Sequence, residues 1–205
     1  MKTADNPGIR WYVGALLAGL VVVAIWLVVS NMGRSGAALP ELGAVPAFNL
    51  TTDAGSRADE AMFVGKVSVV DFIFTSCAGI CPMMSARMAW LQEELREYPD
   101  VQFVSFSVDP ATDTPELLTE YGKRYGAIPG RWTFLTGDRE QIYSLTQKGF
   151  HLGLEAEGDD AIIHSPKFVL VDRKGSIRGY YDSDSTDAMD VLRDHAGLLA
   201  ERKTP

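Results

Sequence analysis

The sequence predicts an α/β fold with three layers, in which helices cover a central mixed β-sheet, preceded by one transmembrane helix. Strand-like segments alternate with helix-like segments, and a hairpin followed by a helix ends the chain; both patterns are typical of such a sheet. An uncharged stretch near the N-terminus predicts the transmembrane helix. The 205 residues, 46% of them hydrophobic, are enough for one globular domain and an accessory segment.

Changes in composition divide the chain into four segments. Residues 1–10 form the predicted cytoplasmic N-terminus, 11–30 the transmembrane anchor, 31–46 a linker rich in Gly, Ala and Pro, and 47–205 the folded domain. Without residues 1–34, 16 basic and 26 acidic residues remain, a formal charge of −10. This acidic balance argues against a nucleic-acid-binding protein.

The anchor assignment rests on the twenty residues from Trp11 to Ser30, none of which is charged. A helix of that length, at about 1.5 Å per residue, just crosses the hydrocarbon core of a bilayer. Lys2 and Arg10 precede the span, which favours a single-pass inner-membrane protein with its N-terminus inside and its folded domain on the periplasmic or extracytoplasmic side. A cleaved signal peptide is the alternative, because Ser35-Gly36-Ala37 resembles a cleavage site. We expect the anchor to be retained.

Runs of β-branched and aromatic residues predict the strands. The run Lys66–Thr75 has the composition of a strand buried on both faces. The tight turn Arg173-Lys174-Gly175 joins two later runs into a hairpin. In chain order, the predicted strands are Ala47–Thr52, Lys66–Thr75, Val101–Val108, Arg131–Leu135, Ala161–Asp172 and Ser176–Tyr181.

Apolar side chains at helical spacing and characteristic end residues predict the helices of the domain. Asp113-Thr114-Pro115-Glu116 supplies a capping residue and an early proline to one helix, and Gly149 ends the next. The predicted helices are Pro82–Tyr98, Asp113–Tyr125, Asp138–Gly149 and Thr186–Leu199, with a loose acidic connection at Gly153–Asp160.

The two cysteines of the chain, Cys77 and Cys81, lie where the strand Lys66–Thr75 gives way to a helix. Four positions apart, they face the same side of a turn or helix. A position in the first helical turn favours the thiolate of Cys81, because free backbone N–H groups and the helix dipole stabilise negative charge there. A structural disulfide would close only three intervening residues and stabilise little. We therefore expect a chemical role, as nucleophile or as metal ligand.

His164, just before the strand-like residues Lys167–Asp172, is the third candidate ligand. A lone histidine is usually structural. Two thiolates and one imidazole, however, form a soft set of low coordination number that suits Cu(I) well, and suits Zn(II) less well because structural zinc takes four protein ligands. Of the other histidines, His151 is expected to cap or pack after a helix, and His195 to be solvated near the end of the last helix.

Methionines and one aspartate near the cysteines are weaker candidates. Met84 and Met88, four positions apart on the predicted helix, are expected in the core, whereas Met83 next to the cysteine turn stays open as a thioether ligand. Asp109 ends a predicted strand, and it either orients a ligand or partner or caps the turn that follows.

Three motifs together resemble the Sco family of thioredoxin-fold copper chaperones. They are VDFIFTSC at Val70–Cys77 with Cys81-Pro82, SVDP at Ser107–Pro110 with DTPE at Asp113–Glu116, and His164-Ser165 ahead of FVLVD at Phe168–Asp172; Trp132–Gly137 also matches. The resemblance covers about residues 47–200, and the N-terminal anchor fits it as well.

The resemblance implies a membrane-tethered protein that binds one copper ion, Cu(I) or Cu(II), through Cys77, Cys81 and His164. Such a protein receives copper from an upstream donor and helps to metallate the dinuclear copper centre in subunit II of cytochrome c oxidase. The family also implies that the thiol pair reduces disulfides in that subunit. Ala78-Gly79 departs from the family pattern of proline, often followed by an acidic residue, after the first cysteine, and this predicts a more flexible turn.

A membrane-anchored thiol–disulfide oxidoreductase is the alternative, with Cys77 attacking and Cys81 resolving. Pro166 supports it, because it precedes a strand in the manner of the cis-proline of thioredoxin-like oxidoreductases. His164 discriminates the two functions, since a three-ligand Cu(I) site needs it and dithiol exchange does not. A peroxidase is less favoured, because peroxiredoxin-type sites carry Thr or Ser where this chain has Phe74.

Overall fold

Eight strands form one mixed sheet within the residues that the computed structural model describes, which are 16, 17, 19–21, 23, 39–152 and 166–202. The strands are β1 (Gly43–Ala44), β2 (Leu50–Thr52), β3 (Arg57–Ala58), β4 (Val67–Ile73), β5 (Val101–Ser107), β6 (Trp132–Thr136), β7 (Lys167–Val171) and β8 (Ser176–Asp182). Their order in the sheet is β1-β8-β7-β4-β5-β6-β2-β3. β4 is parallel to β5, and β5 is parallel to β6, whereas the other neighbours are antiparallel.

Helices connect the parallel strands and end the domain. Over the described ranges they are α1 (Ile80–Glu94), α2 (Pro115–Arg124), α3 (Arg139–Ser144) and α4 (Thr186–Glu201), with a 3-10 turn at Glu60–Phe63 and a π-helical turn at Leu145–Gly149. Thr114, Asp138 and Ser185 cap α2, α3 and α4 by accepting a backbone N–H with their side chains. The predicted mixed sheet with helices is therefore confirmed.

The middle of the sheet forms the core. All seven residues of β4 are buried, as the mainly apolar composition of the segment predicts for a strand with neighbours on both sides. Phe72 of β4 stacks on Phe106 of β5 with ring centroids 5.1 Å apart, and Phe150 packs edge-on against Phe72 at 5.3 Å. This aromatic cluster holds rigid the strand whose end carries the cysteines.

The structure moves the start of α1 from the predicted Pro82 to Ile80. Proline at the third helical position is tolerated, because the first four backbone N–H groups of a helix have no partner within it. Cys81 therefore lies in the first turn of α1. The predicted helix Asp138–Gly149 is α-helical only to Ser144 and continues as a π-turn.

The predicted linker reached to residue 46, but the folded unit begins at Pro40. Gly43 and Ala44 pair with Ile177 and Ser176 of β8, and Val45 is buried. A two-residue edge strand is held by its backbone, so its Gly- and Ala-rich composition gives no strand signal. The short strand β3 was not predicted either, because two residues paired through their backbone give no side-chain signal.

Residues 16, 17, 19–21 and 23 of the predicted anchor are helical. No helix in the described part of the chain is long and apolar enough to span a bilayer. The other residues of 11–30 lie outside the described residues, as do the predicted connection Gly153–Asp160 and the first five residues of the predicted strand Ala161–Asp172.

Candidate metal and thiol centre

The cysteine turn, which we define as residues 74–81, connects the end of β4 to the first turn of α1. Cys77 is half-buried, and its backbone N–H donates to the carbonyl of Phe74 at 3.3 Å. Cys81 is buried, with only 2% of its surface exposed. Both are free thiols. One sulfur atom therefore lies near the surface, and the other lies beneath the start of the helix.

Local hydrogen bonds stabilise the thiolate of Cys77. Burial alone would raise the pKa of the Cys77 thiol, but backbone N–H groups of Cys81, Gly79 and Ile80 and the thiol of Cys81 donate to it and together lower its pKa below the ordinary value. These N–H groups are free because they belong to the start of α1. Cys77 is thus the thiol that loses its proton first and the one that an incoming molecule meets first.

Cys81 has the opposite character. Burial raises the pKa of the Cys81 thiol well above the ordinary value, and the neighbouring charges of Cys77 and Asp71 raise it further. The pair therefore combines an accessible thiolate with a buried thiol that keeps its proton. Such a pair can exchange disulfides, with Cys77 as nucleophile, or bind a soft metal ion that displaces the second proton.

Two buried carboxylates lie near the turn, and the sequence analysis assigned a site role to neither. Asp71, on β4, is fully buried, and neither of its oxygen atoms accepts a hydrogen bond of ordinary geometry from the described residues. Burial raises the pKa of Asp71 to about 7, and the Ser105 hydroxyl on the adjacent strand opposes the shift only in part. Asp113, just before α2, is also fully buried but accepts hydrogen bonds from Thr75 and Ser107.

His164 lies outside the described residues, but the chain two residues later is described. Val70 of β4 pairs with Val169 of the antiparallel β7, and the same register, continued beyond this last pair, points Pro166 towards Ile73, the last residue of β4. Ser183 donates its backbone N–H to the carbonyl of Pro166 at 2.7 Å. β7 therefore starts near the end of β4 from which the chain continues into the cysteine turn.

A family model described as SCO1/SenC matches residues 38–200, most of the chain. The chain belongs to the SCO1/SenC family. The SCO1 protein homolog of Bacillus subtilis is 33% identical to it over 183 residues, which cover 87% of this chain and 95% of that protein.

Solved structures of Sco proteins have the same fold. BsSco, described as a member of the Sco family of cytochrome c oxidase assembly proteins with a disulfide switch, gives a TM-score of 0.71 at 30% identity and covers 80% of this chain and 98% of its own. Copper-bound ScoI of Arabidopsis thaliana gives a TM-score of 0.65 at 27% identity, covering 80% and 99%. The thioredoxin-like Sco fold that the resemblance predicted is thereby confirmed.

The weaker candidates of this Sco-family chain take up structural positions. Met84 and Met88 are in the core, as predicted, whereas Met83 is half-exposed in the first turn of α1. Asp109 accepts the backbone N–H groups of Thr112 and Asp113 with its carbonyl, so its backbone stabilises the turn. The side chain of Asp109 is half-exposed, and its role towards a ligand or partner stays a prediction.

The described histidines are separate from the thiols. His151 is exposed in a left-handed conformation, with φ 49°, and follows Phe150, the residue that ends the π-turn; this is the position where helices commonly end with a left-handed residue. His195 was expected to be solvated, but it is half-buried and its Nδ1 shares a 2.8 Å hydrogen bond with the Tyr181 hydroxyl; burial lowers its pKa. Over the described residues, no group of three or more His, Cys, Asp or Glu side chains could hold a metal ion.

The peptide bond between Ser165 and Pro166 includes a residue outside the described ranges. The resemblance of Pro166 to the cis-proline of thioredoxin-like oxidoreductases therefore stays an interpretation of the sequence.

Proposed function

We propose that this chain is a membrane-anchored copper chaperone that binds copper through Cys77, Cys81 and His164. It delivers the ion to, or prepares, the dinuclear copper site of cytochrome c oxidase. Membership of the SCO1/SenC family supports this function. Further support comes from the copper bound to a related structure and from the description of another relative as an oxidase assembly protein.

The thiol pair is the observation that carries the proposal. Two cysteine sulfur atoms on one side of a helix start provide soft donors, which favour Cu(I) over harder ions. The accessible Cys77 thiolate takes the incoming ion, and Cys81 then releases its proton to become the second ligand. Copper is the cargo in this scheme, since a donor supplies it and a client removes it.

A third ligand at His164 agrees with the topology. β7 starts beside the end of β4, three residues after His164, so only a short stretch of sequence separates His164 from the end of the sheet that leads into the cysteine turn. Imidazole nitrogen completes a low-coordinate set with two thiolates. We propose the same set for Cu(I) and Cu(II).

The proposed anchor at residues 11–30 places the chain in the inner membrane as a single-pass protein. Its N-terminus is then inside, and the folded domain is on the periplasmic side, where an upstream copper donor and oxidase subunit II reach the cysteine turn. The formal charge of −10 beyond residue 34 agrees with a protein client rather than a nucleic acid.

Copper titration tests the ligand set. We expect the reduced wild-type chain, loaded without oxygen, to retain about one copper per chain, and His164→Ala to bind at least tenfold more weakly, on the order of 1.4 kcal/mol. Competition with a chelator of known Cu(I) affinity measures both constants. His151→Ala is the matched control, because its side chain is exposed after the π-turn, and it should bind like wild type. Equal affinity of His164→Ala and wild type would contradict the proposal.

A thiol–disulfide oxidoreductase is the second candidate, favoured by the difference between the two thiols. An accessible nucleophile with a lowered pKa beside a buried partner is the arrangement that dithiol exchange uses. Reduction of insulin disulfides by the chain measures this activity. Undiminished reduction by His164→Ala, together with undiminished copper retention, would favour the oxidoreductase over the chaperone.

A further inference from the structure

Asp113 lies under the cysteine turn, and its carboxylate accepts hydrogen bonds from Thr75 and Ser107. Its Oδ2 accepts the backbone N–H of Thr75 at 3.1 Å and the Ser107 hydroxyl at 2.6 Å, and its Oδ1 accepts the Thr75 hydroxyl at 2.5 Å. The backbone N–H of Asp113 donates to the carbonyl of Asp109 at 2.9 Å. One carboxylate thus connects the end of β4, the end of β5 and the start of α2.

Because the carboxyl group of Asp113 is buried, its hydrogen bonds with Thr75 restrain the position of Thr75. Asp113 is fully buried, and none of the ion pairs found among the described residues includes it, so neutral donors alone compensate the lost hydration of its carboxyl group. A movement of Thr75 would leave Oδ1 of this buried carboxyl group without a donor, because both of its hydrogen bonds come from Thr75; an unsatisfied buried oxygen costs more than an ordinary lost hydrogen bond. Thr75 is therefore held in place, two residues before Cys77.

Ala78 and Gly79, in the middle of the turn, lack such a restraint among the described residues. Ala78 and Gly79 are both exposed, and a Cβ at Gly79 would meet only the Sγ of Cys77, at 3.9 Å. Neither residue has a ring or a packed side chain to restrict the backbone. The conformation that directs the N–H groups of α1 at Cys77 is therefore fixed from its ends, by Thr75 on one side and by the helix on the other.

We propose that Asp113 is a positioning residue of the thiol centre, which holds the cysteine turn through Thr75 so that Cys77 stays over the N–H groups of α1. This inference rests on the proposed chemical use of the cysteine pair. It holds whether the pair carries copper or exchanges disulfides, because both need the Cys77 sulfur accessible and at a fixed position beside the start of α1.

Asp113→Asn tests the proposal on the full chain. Asparagine keeps the size but replaces one acceptor oxygen with an NH₂ donor, which faces Thr75 or Ser107 and breaks one of their contacts. We expect alkylation of Cys77 by iodoacetamide at pH 7 to slow at least threefold and its pH profile to move to higher pH. Mass spectrometry of the fragmented peptide assigns the adduct to Cys77.

Thr75 provides the variants that do not touch the carboxylate. Thr75→Val keeps the backbone N–H and the side-chain shape but removes the hydroxyl, so it should shift the profile in the same direction by a smaller amount. Thr75→Ser keeps the hydroxyl and should restore the wild-type rate. These variants also keep the test decisive if Asp113→Asn fails to fold.

Asp172→Asn is the matched stability control. Asp172 also clamps a turn, with its Oδ1 accepting the N–H groups of Lys174 and Ser176, but it lies at the opposite end of β7 from Pro166. It should lower the urea midpoint of unfolding without altering Cys77 alkylation. Asp113 would be merely structural if Asp113→Asn and Thr75→Val both alkylate like wild type.

The positioning role of Asp113 and the chaperone function can fail separately, because alkylation of Cys77 does not require copper. A slowed alkylation in a chain whose wild type retains no copper would leave the positioning role standing and reject the chaperone function. Normal alkylation in Asp113→Asn and Thr75→Val would reject the positioning role. Copper retention by the wild type that depends on His164 would, in the same experiments, support the chaperone function.

Discussion

Asp71 is the residue whose placement is hardest to justify by stability alone. It interrupts the apolar run of β4, is fully buried, and accepts no hydrogen bond of ordinary geometry from the described residues. A buried carboxyl group in this state favours its neutral form, and burial accordingly raises its pKa to about 7. Its charge also raises the pKa of Cys81. An acid whose pKa is raised by burial, next to a reactive thiol, is typical of a functional centre.

We expect Asp71→Asn to stabilise the chain increasingly as pH rises. The pKa of Asp71 is higher in the folded state, about 7, than in the unfolded state, so the folded state holds this proton more tightly. Below about pH 4, Asp71 is protonated in both states and costs no stability. As the pH rises from about 4 to about 7, the unfolded state loses this proton more readily than the folded state, and the free energy of unfolding falls by roughly 4 kcal/mol in all. Asparagine has no such dependence. Urea unfolding of wild type and variant between pH 4.5 and 8 measures the difference.

The matched control for this prediction is Asp184→Asn, because the side chain of Asp184 is exposed. It should follow the wild-type pH dependence. A stability difference between Asp71→Asn and wild type that is the same at pH 4.5 and pH 8 would show that Asp71 is ionised at both, contrary to the expectation.

The sequence identified the thiols more readily than their supports. The only two cysteines, four positions apart at a strand end, form a local pattern. Asp113 also stood out, but only as part of a helix start, and Thr114 is the residue that caps α2. Its contact with Thr75 joins residues 38 positions apart. No local pattern records such a contact, since only the packing of β4 beside β5 creates it.

Among the elements, the long strands and helices were predicted to within a few residues, because burial and periodicity specify them. The two-residue strands β1 and β3 were not predicted, since backbone pairing at a sheet edge makes little demand on side chains. The start of α1 was predicted two residues too late, because Pro82 is a common first residue but is also tolerated later in the first turn.

Gly122 permits α2 to pack closely on β6. A Cβ at this position would lie 2.7 Å from Cε2 of Phe134, whose ring packs against Tyr121 and Trp132. We expect Gly122→Ala to destabilise the chain by up to about 2 kcal/mol, because overpacking costs about 1–3 kcal/mol and the better helix propensity of alanine offsets only about 1 kcal/mol of it. Urea unfolding at constant pH measures it.

Gly197, in α4, is the matched control for that prediction. A Cβ there would meet Tyr98 at 3.5 Å, an ordinary contact distance. Gly197→Ala should therefore stabilise the chain by up to about 1 kcal/mol through helix propensity. If both alanine variants gained stability, the close approach of α2 to β6 would not be a constraint.

At the scale of the whole molecule, the proposed copper site joins distant parts of the chain. Cys77 and Cys81 are neighbours in sequence, whereas His164 is 83 positions beyond Cys81. The pairing of β7 with β4 brings the chain near His164 back to the cysteine turn. The histidine was selected from sequence by its chemistry and by family resemblance, since nothing local to it specifies this pairing.

This separation predicts how copper couples to folding. An unfolded chain still presents two thiols four positions apart and therefore binds Cu(I) through them, which reduces the stabilisation that the ion gives to the folded state. His164 joins the thiols only after the sheet has formed. We therefore expect Cu(I) to stabilise the wild-type chain by at least about 1.4 kcal/mol more than His164→Ala, corresponding to a tenfold difference in affinity.

Urea unfolding without oxygen, in a chelator buffer that fixes free Cu(I), measures this coupling. Cys77→Ser is the control that removes a local ligand from both the folded and the unfolded state, so it should weaken binding in both. Its effect on copper-dependent stabilisation should therefore be smaller than its effect on affinity, whereas for His164→Ala the two should agree. Copper-dependent stabilisation that is equal in wild type and His164→Ala would mean that the ion is held by the cysteine turn alone, and that folding brings it no further ligand.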